Sequence, residues 1–428
     1  MQIINSLLLP WVAFHSQYRI FSATLMHPIE RITQLLALSI GLSSLHMALA
    51  AGPHQRWWKG NLHTHSLWSD GDDFPEPIIE WYKNHGYNFL AISDHNILHE
   101  GDRWIEIDET LQQTAQNYRE RYGPDWVVQR TKDSTTEIRL RRLEEYRPLF
   151  EAPASFLLIQ SEEITENFER KPVHVNATNV KGYIPPQGGA SVFDVMQRNV
   201  HAVLEQRKKT GQPMFPHINH PNYHYAVTPD EIARLEGEHF IEIYNGHPLV
   251  HNEGDSLHVS TEEMWDMILA YRLRSHGEML FGLAVDDAHH YHEMNPQRSN
   301  PGRGWVVVES DSLSSESIVS AMEQGKFYAS SGVALESITF DGKRLSLSVA
   351  ADSTVNYSTT FVGTRSGTES PVGVVLKVEE GSQASYEMDG TELYVRAVVK
   401  SNRKKINPYI VGEYEKAWIQ PVTRELHR

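Results

Sequence analysis

A chain of 428 residues that is 40% hydrophobic, with ten Trp, holds enough apolar material for a sizeable core and is not a disordered polymer. Its formal net charge of -16 disfavours a protein that coats nucleic acid, which needs a basic face. With no Cys, disulfides and thiolate metal sites are excluded, so imidazole and carboxylate are the available metal ligands, and there are 23 His.

The first fifty residues read as a targeting segment. Arg31 precedes the apolar run "ITQLLALSIGLSSLHMALA", which closes on Ala48-Leu49-Ala50, a small-x-small cleavage pattern. Met26 is an alternative start that would give a shorter charged lead. The expected mature chain begins at Ala51 and is exported, periplasmic or extracellular, with no stable membrane span after cleavage. Lacking Cys, it has no lipid-anchor site there.

Beyond that point, short apolar runs alternate with amphipathic helical segments. "NFLAIS" (88–93), "SFLLIQ" (155–160), "PVHVNATNV" (172–180), "PMFPHIN" (213–219), "FIEIYN" (240–245) and "MLFGLAV" (279–285) have the length and composition of buried strands. "PEPIIEWYKNHG" is a helix punctuated by Pro75 and Gly86, and "SVFDVMQRNVHAVLEQRKKTG" is one stopped by Gly211. "STEEMWDMILAYRLRSHG" opens with a capping box, Ser260 and Glu263, and stops at Gly277. The alternation predicts a parallel, barrel-like α/β domain over residues 51–336. Residues 97–154 interrupt it as a long charged insertion of helical pattern, either a solvated hairpin or a wall over a site. From 337 to 428, short alternating strands with Gly and Asp turns predict a small antiparallel β-domain.

The residues able to do chemistry fall at the strand ends. In "GNLHTHSLWSDG", His63 and His65 are one residue apart, so on an extended segment their rings share a side, and Asp70 follows. Asp94 and His95 follow "NFLAIS", and Glu162 and Glu163 follow "SFLLIQ". His174 lies within "PVHVNATNV", His217 and His220 end "PMFPHINHP", and Asp286, Asp287 and His289 follow "MLFGLAV". In a parallel barrel these ends open on one face. Singly, each residue is ordinary structure. Together, so many buried titratable groups cost heavily in desolvation unless a metal uses them. Asp94, Glu162 and Asp286 are candidate acceptors for imidazole N–H groups. Arg303, in "NPGRGW", is a candidate for steering an anionic substrate. His247, in "YNGHP", is expected near the pocket.

The ordered set "HTHSLWSDG", "SDHN", "SEEIT", "KPVHVNA", "NHP" and "DDAH" resembles the PHP (polymerase and histidinol phosphatase) family over residues 59–333. "GNLHTHSLWSDGD", "YNGHP" and "NPGRGW" look most like its carbaryl-hydrolase branch (CehA/McbA type). The resemblance implies a distorted (β/α)₇ barrel holding two or three divalent transition metal ions, Mn, Zn or Fe. It implies that His63, His65, Glu163 and Asp287 hold one ion. Glu163 would bridge to a second, held also by His174 and His220, and Asp70, His95 and His289 would hold a third. Ser161 stands where the family often has Gly, which leaves Glu162 as an alternative to Glu163.

The expected activity is that of an exported metal-dependent hydrolase, a phosphomonoesterase or phosphodiesterase that uses water activated by ions about 3.5–4 Å apart. Glu163 and Asp287 lie at its catalytic centre and Arg303 serves the substrate. A small ester or phosphoester is the expected partner, with no extended nucleic-acid binding; the oligomeric state is open. The alternatives are a carboxylic ester or carbamate hydrolase in the same site and a non-catalytic, metal-stabilised binding protein. An amidohydrolase would share the H-x-H pair, but Asp70, "SDHN" and the terminal D-x-H favour the PHP reading.

Overall fold

The computed structural model describes residues 56–275, 277–367 and 369–424. The targeting segment expected at 1–50 lies outside them. The chain opens with β1 (Arg56–Asn61), α1 (Pro75–Asn84) and β2 (Phe89–Ile92). The insertion contributes β3 (Trp104–Glu106), α2 (Gln112–Tyr122), β4 (Gln129–Lys132), β5 (Thr135–Arg139) and α3 (Leu143–Phe150). Then come β6 (Leu157–Phe168), β7 (Lys171–Thr178), α4 (Val192–Thr210), β8 (Phe215–Ile218), α5 (Pro229–Ala233), β9 (Phe240–Asn245), α6 (Thr261–Ser275) and β10 (Phe281–Val285). After β11 (Trp305–Ser310), α7 (Ser315–Glu323) and β12 (Phe327–Ser330), only strands follow. These are β13 (Leu335–Phe340), β14 (Arg344–Val349), β15 (Tyr357–Arg365), β16 (Val374–Glu380), β17 (Gln383–Glu387), β18 (Glu392–Lys404) and β19 (Tyr414–Val422).

Local sequence sets the helix ends as the pattern predicts. The Ser191 side chain accepts from Asp194 N at the start of α4, and Gly211 ends it in the left-handed region at φ 71°. Ser260 and Glu263 close their capping box: Ser260 N donates to Glu263 Oε2 at 2.9 Å, and Glu263 N to Ser260 Oγ at 3.2 Å.

One thirteen-stranded sheet organises the molecule, in the order β10-β9-β8-β7-β6-β2-β1-β11-β12-β19-β18-β15-β16. Helices α4, α5 and α6 cover one face, where Met196, Val200, Ile232, Trp265 and Ile268 pack with Ile218 and Ile241. β1, β2 and β6 run parallel, as do β8, β9 and β10. Thr64, just after β1, bridges in parallel to Ala288, just after β10. His65 N donates to Ala288 O at 2.9 Å and Asp287 N to His63 O at 3.0 Å, so the two ends of this seven-strand run meet beyond their strands.

The all-parallel expectation is corrected at β7, which is antiparallel to both neighbours. Between β6 and β7 lie only Glu169 and Arg170, with φ of 48° and 70°. A two-residue loop with both φ positive turns a chain straight back on itself, so no helix separates these strands. The reversal puts the start of β7 beside the C-terminal ends of the parallel strands.

The insertion is also corrected, because it is not wholly helical. β3, β5 and β4 form a separate antiparallel sheet. "TEIRLRRLEEYRPLF" begins inside the strand Thr135–Arg139, and only Leu143–Phe150 is helical. Asp133 and Ser134, at φ 48° and 69°, form its hairpin turn.

The strands beyond residue 337 are not all separate from the main sheet. β13, β14 and β17 pair among themselves, whereas β19, β18, β15 and β16 continue it through β12. No helix among the described residues is long and apolar enough to cross a membrane.

Glu76, in the first turn of α1, is fully buried and accepts at Oε1 from Tyr118 Oη and Trp126 Nε1, both at 2.8 Å. Burial is the main cause that pushes its carboxyl up to about 7. A carboxyl raised in the folded state binds a proton there that the unfolded chain has already lost. Stability therefore falls as pH rises from about 4.5 to about 7 and is level above that. Glu76→Gln should flatten this slope, gaining on the native chain at pH 8 relative to pH 5. Urea unfolding at the two pH values measures the difference, which should be on the order of 2 kcal/mol.

Candidate metal centre

The nine residues expected as ligands come together. His63 Nε2 and His65 Nε2 each lie 3.2 Å from Asp287 Oδ1 and 3.4 Å from Glu163 Oε2. Glu163 Oε1 is 2.8 Å from His174 Nδ1 and 3.5 Å from His220 Nε2, and its Oε2 is 2.8 Å from His95 Nδ1. Asp70 Oδ1 is 3.4 Å from His289 Nε2, and Oδ2 is 3.5 Å from His95 Nε2. His63, His65 and Glu163 are wholly buried, while the Asp70 side chain is 56% exposed and marks the open side. Strand alternation decides between the adjacent glutamates. Glu163 faces this cluster, and Glu162 points away to accept from Ile184 N at 2.7 Å.

The atoms fit a metal on a structural criterion. His63 Nε2, His65 Nε2 and Glu163 Oε2 are buried and have no hydrogen-bond partner among the described residues. Leaving such groups unpaired costs about 1–3 kcal/mol each. Ligands at about 2.1 Å from a shared ion sit roughly 3.0–3.4 Å from one another, the spacing found here. Ligand atoms of His65, Asp70, His95 and His289, and also those of His95, Glu163 and His174, lie within 4.8 Å of one another and form further sets able to hold an ion.

Hydrogen bonds from behind leave the right nitrogens free. Glu242, wholly buried in β9, lies 2.7 Å from His63 Nδ1 and 3.1 Å from His217 Nε2. A carboxylate only accepts, so Nδ1 of His63 carries the proton and Nε2 offers its lone pair to the centre. Glu242 Oε2 accepts from His220 N at 2.8 Å and from Asn245 Nδ2 at 2.9 Å, and Asn245 Nδ2 is 3.1 Å from Asp287 Oδ2. His289 Nδ1 donates to Asp287 O at 2.9 Å, which frees Nε2 toward Asp70.

Sequence reasoning missed Glu242, although its signal was present: a carboxylate in the middle of "FIEIYN", a strand otherwise buried and mainly apolar. Among the described residues, none of the three acceptors expected instead bonds directly to a candidate ligand imidazole; Asp94 does take an imidazole, but that of His99. Asp94 takes His99 Nε2 at 2.6 Å and Ser66 N at 2.8 Å. Asp286 takes Tyr82 Oη and the backbone N–H groups of Gly302, Arg303 and Gly304.

Arg303 is corrected as well. It is fully buried, and its guanidinium donates to the carbonyls of Gly246, Arg298, Asn295 and Asn407 and to Asn300 Oδ1. With its donors spent on loops, it clamps the backbone that follows β10. His247 is half-buried near the centre, its ring 5.6 Å from that of His289.

The electrostatics record competition for lone pairs. Burial, then the charges of His289 and His95, drive His65 down to about 4. Burial works against protonation of His95 as well, but Glu163 and Asp70 push it up to about 11. Burial would raise the Glu163 carboxyl, yet His95, His63 and His174 hold it well below the usual carboxylate range. Asp287 adopts φ 50° and His220 φ 21°, left-handed values that non-glycine residues rarely take and that cluster at functional sites.

No protein-family model matches the chain, and no curated protein does. Solved structures do show likeness. A two-domain protein from Bacteroides vulgatus, containing a predicted PHP-like metal-dependent phosphoesterase, is 14% identical with a TM-score of 0.42, covering 84% of this chain and 94% of that one. A candidate metal-dependent phosphoesterase from Bifidobacterium adolescentis is 12% identical with a TM-score of 0.30, over 55% and 89% of the two chains. An amidohydrolase from Chromobacterium violaceum, with bound sulfate and no metal, is 15% identical with a TM-score of 0.26, over 54% and 88%. At such values the function has to come from the side chains.

Glu242→Gln should leave the fold intact while loosening the hold on His63. Metal affinity, read by titration of the metal-free protein with Mn²⁺ or Zn²⁺, should fall about 10–100-fold. Unchanged affinity would remove Glu242 from the centre.

Proposed function

We propose that the chain is a metal-dependent hydrolase of ester bonds and, in first place, a phosphoesterase. The convergence of buried His63 Nε2, His65 Nε2 and Glu163 Oε2, none of them hydrogen-bonded among the described residues, carries this reading. Divalent ions bound there would lower the pKa of water and stabilise charge developing on the reacting group. The chain's own part is placement. Glu163 is shared between adjacent ligand sets and so fixes their spacing. Glu242 holds the proton on His63 Nδ1, which keeps Nε2 free. Asn245 holds Asp287 in line.

Several adjacent ligand sets suit phosphoryl transfer, in which more than one ion steadies the attacking and leaving oxygens. A second reading, a carboxylic ester or carbamate hydrolase, gains from the burial of Arg303, which takes the expected anion-steering cation out of the pocket. The distorted seven-strand barrel of the PHP type belongs to the same proposal; the Thr64–Ala288 bridge supports it. The division at residues 336/337 and export after Ala50 are part of the proposal too.

Chelation should abolish hydrolysis, and added Mn²⁺ or Zn²⁺ should restore it. Glu163→Gln keeps the shape, removes the charge, and should lower kcat on the order of 10²-fold or more. A panel of p-nitrophenyl phosphate, bis(p-nitrophenyl) phosphate and p-nitrophenyl acetate checks the bond. Turnover of p-nitrophenyl acetate alone would put the carboxylic ester reading first, and turnover unaffected by chelation would overturn both.

A further inference from the structure

The loop joining β18 to β19 has two faces of opposite character. Its inner face is locked to the segment that carries the candidate ligands. Lys405 Nζ donates to Arg303 O at 2.8 Å, and Asn407 Nδ2 to Pro301 O at 3.0 Å. Tyr409 Oη accepts from Asn252 Nδ2 at 2.8 Å, and Asn252 in turn holds the backbone of Asn245. Its outer face shows large aliphatic side chains to water: Ile406 is 99% exposed, Val411 82% and Ile410 47%. Met294, 47% exposed on the loop after His289, has its sulfur 3.8 Å from Asn407 Nδ2.

Single exposed aliphatics are ordinary, but a loop hydrogen-bonded on its inner side that exposes several of them is not explained by packing. The sequence leading into the loop is basic. Lys400, Arg403 and Lys404 are all exposed within five residues of β18, in a chain whose net charge is -16. Arg403 is paired with Asp352, and Lys404 has no ion-pair partner among the described residues. Aliphatic tips set beside uncompensated lysines match an interface with apolar chains below and anionic groups above, the chemistry of an anionic lipid surface.

We propose that the β18–β19 loop docks the protein onto anionic lipid bilayers, with Ile406, Ile410 and Val411 entering the interface and Lys400 and Lys404 meeting the headgroups. The inner hydrogen bonds then tie the docked loop to the candidate metal centre. Docking requires no hydrolysis, so it stands or falls separately from the proposed activity.

The absence of Cys permits a local probe in the full-length protein. Val411→Cys carries an environment-sensitive fluorophore, and Leu149→Cys, exposed on α3, carries the same label as a control. With vesicles of phosphatidylcholine and phosphatidylglycerol, the label at 411 should shift to the blue and be quenched by spin-labelled lipid acyl chains, while the label at 149 should not change. Lys404→Glu or Ile406→Asp, added to the Val411→Cys protein, should weaken the vesicle response by about tenfold. No shift at 411 while the protein is mixed with anionic vesicles overturns the proposal. So does a shift that grows with protein concentration without lipid, which would identify a second copy as the occupant.

Discussion

Lone pairs cannot be stacked against one another in a dry interior unless something positive sits between them. At the centre of this protein, His63 Nε2, His65 Nε2, Glu163 Oε2 and Asp287 Oδ1 meet at 3.2–3.4 Å. Without a cation, protons must balance them: burial of His63 is outweighed by Asp287, Glu242 and Glu163, which push it well up, whereas burial and its imidazole neighbours drive His65 down to about 4. A divalent cation satisfies all four atoms at once. Most of the polar detail around the centre makes sense as provision for it.

That provision comes from several directions. Glu242 sets the tautomer of His63 and also fixes the His220 backbone. Asp286, next to ligand candidate Asp287, spends its oxygens on Tyr82 and on three successive backbone N–H groups of the loop at 302–304. Arg303 fastens that loop to carbonyls on either side. The C-terminal strands join in through Lys405 and Tyr409, so they support the centre and are not merely an appendage.

How much of this was legible in the sequence depended on the signal. Runs such as "FIEIYN" and "MLFGLAV" became strands because their length and apolar content leave few other solutions, and capped helices such as Ser260–Glu263 declared their starts. Most of the nine residues came together because the ends of the parallel strands converge on one face; His174 joins them because the reversal at β7 brings the start of that strand to the same side. The antiparallel course of β7 was hidden because Glu169-Arg170 is not a typical turn pair, and its positive φ values are known only from the fold. Arg303 was misread because a guanidinium beside a glycine-rich loop looks the same in sequence whether it faces substrate or backbone. Strands β11, β12, β17 and β19 were not read from the sequence; β11 pairs with β1 and β12 with β19, partners far away in the chain.

The most direct measurement is the transition-metal content of the purified, folded protein by elemental analysis, made alongside a variant carrying His63→Ala and His65→Ala. The converging lone pairs predict two or three Mn, Zn or Fe ions per native chain and a clear loss in the variant, with both proteins still folded by circular dichroism. A native chain that is folded, grown with metal supplied, and still holds less than one such ion would contradict the central claim.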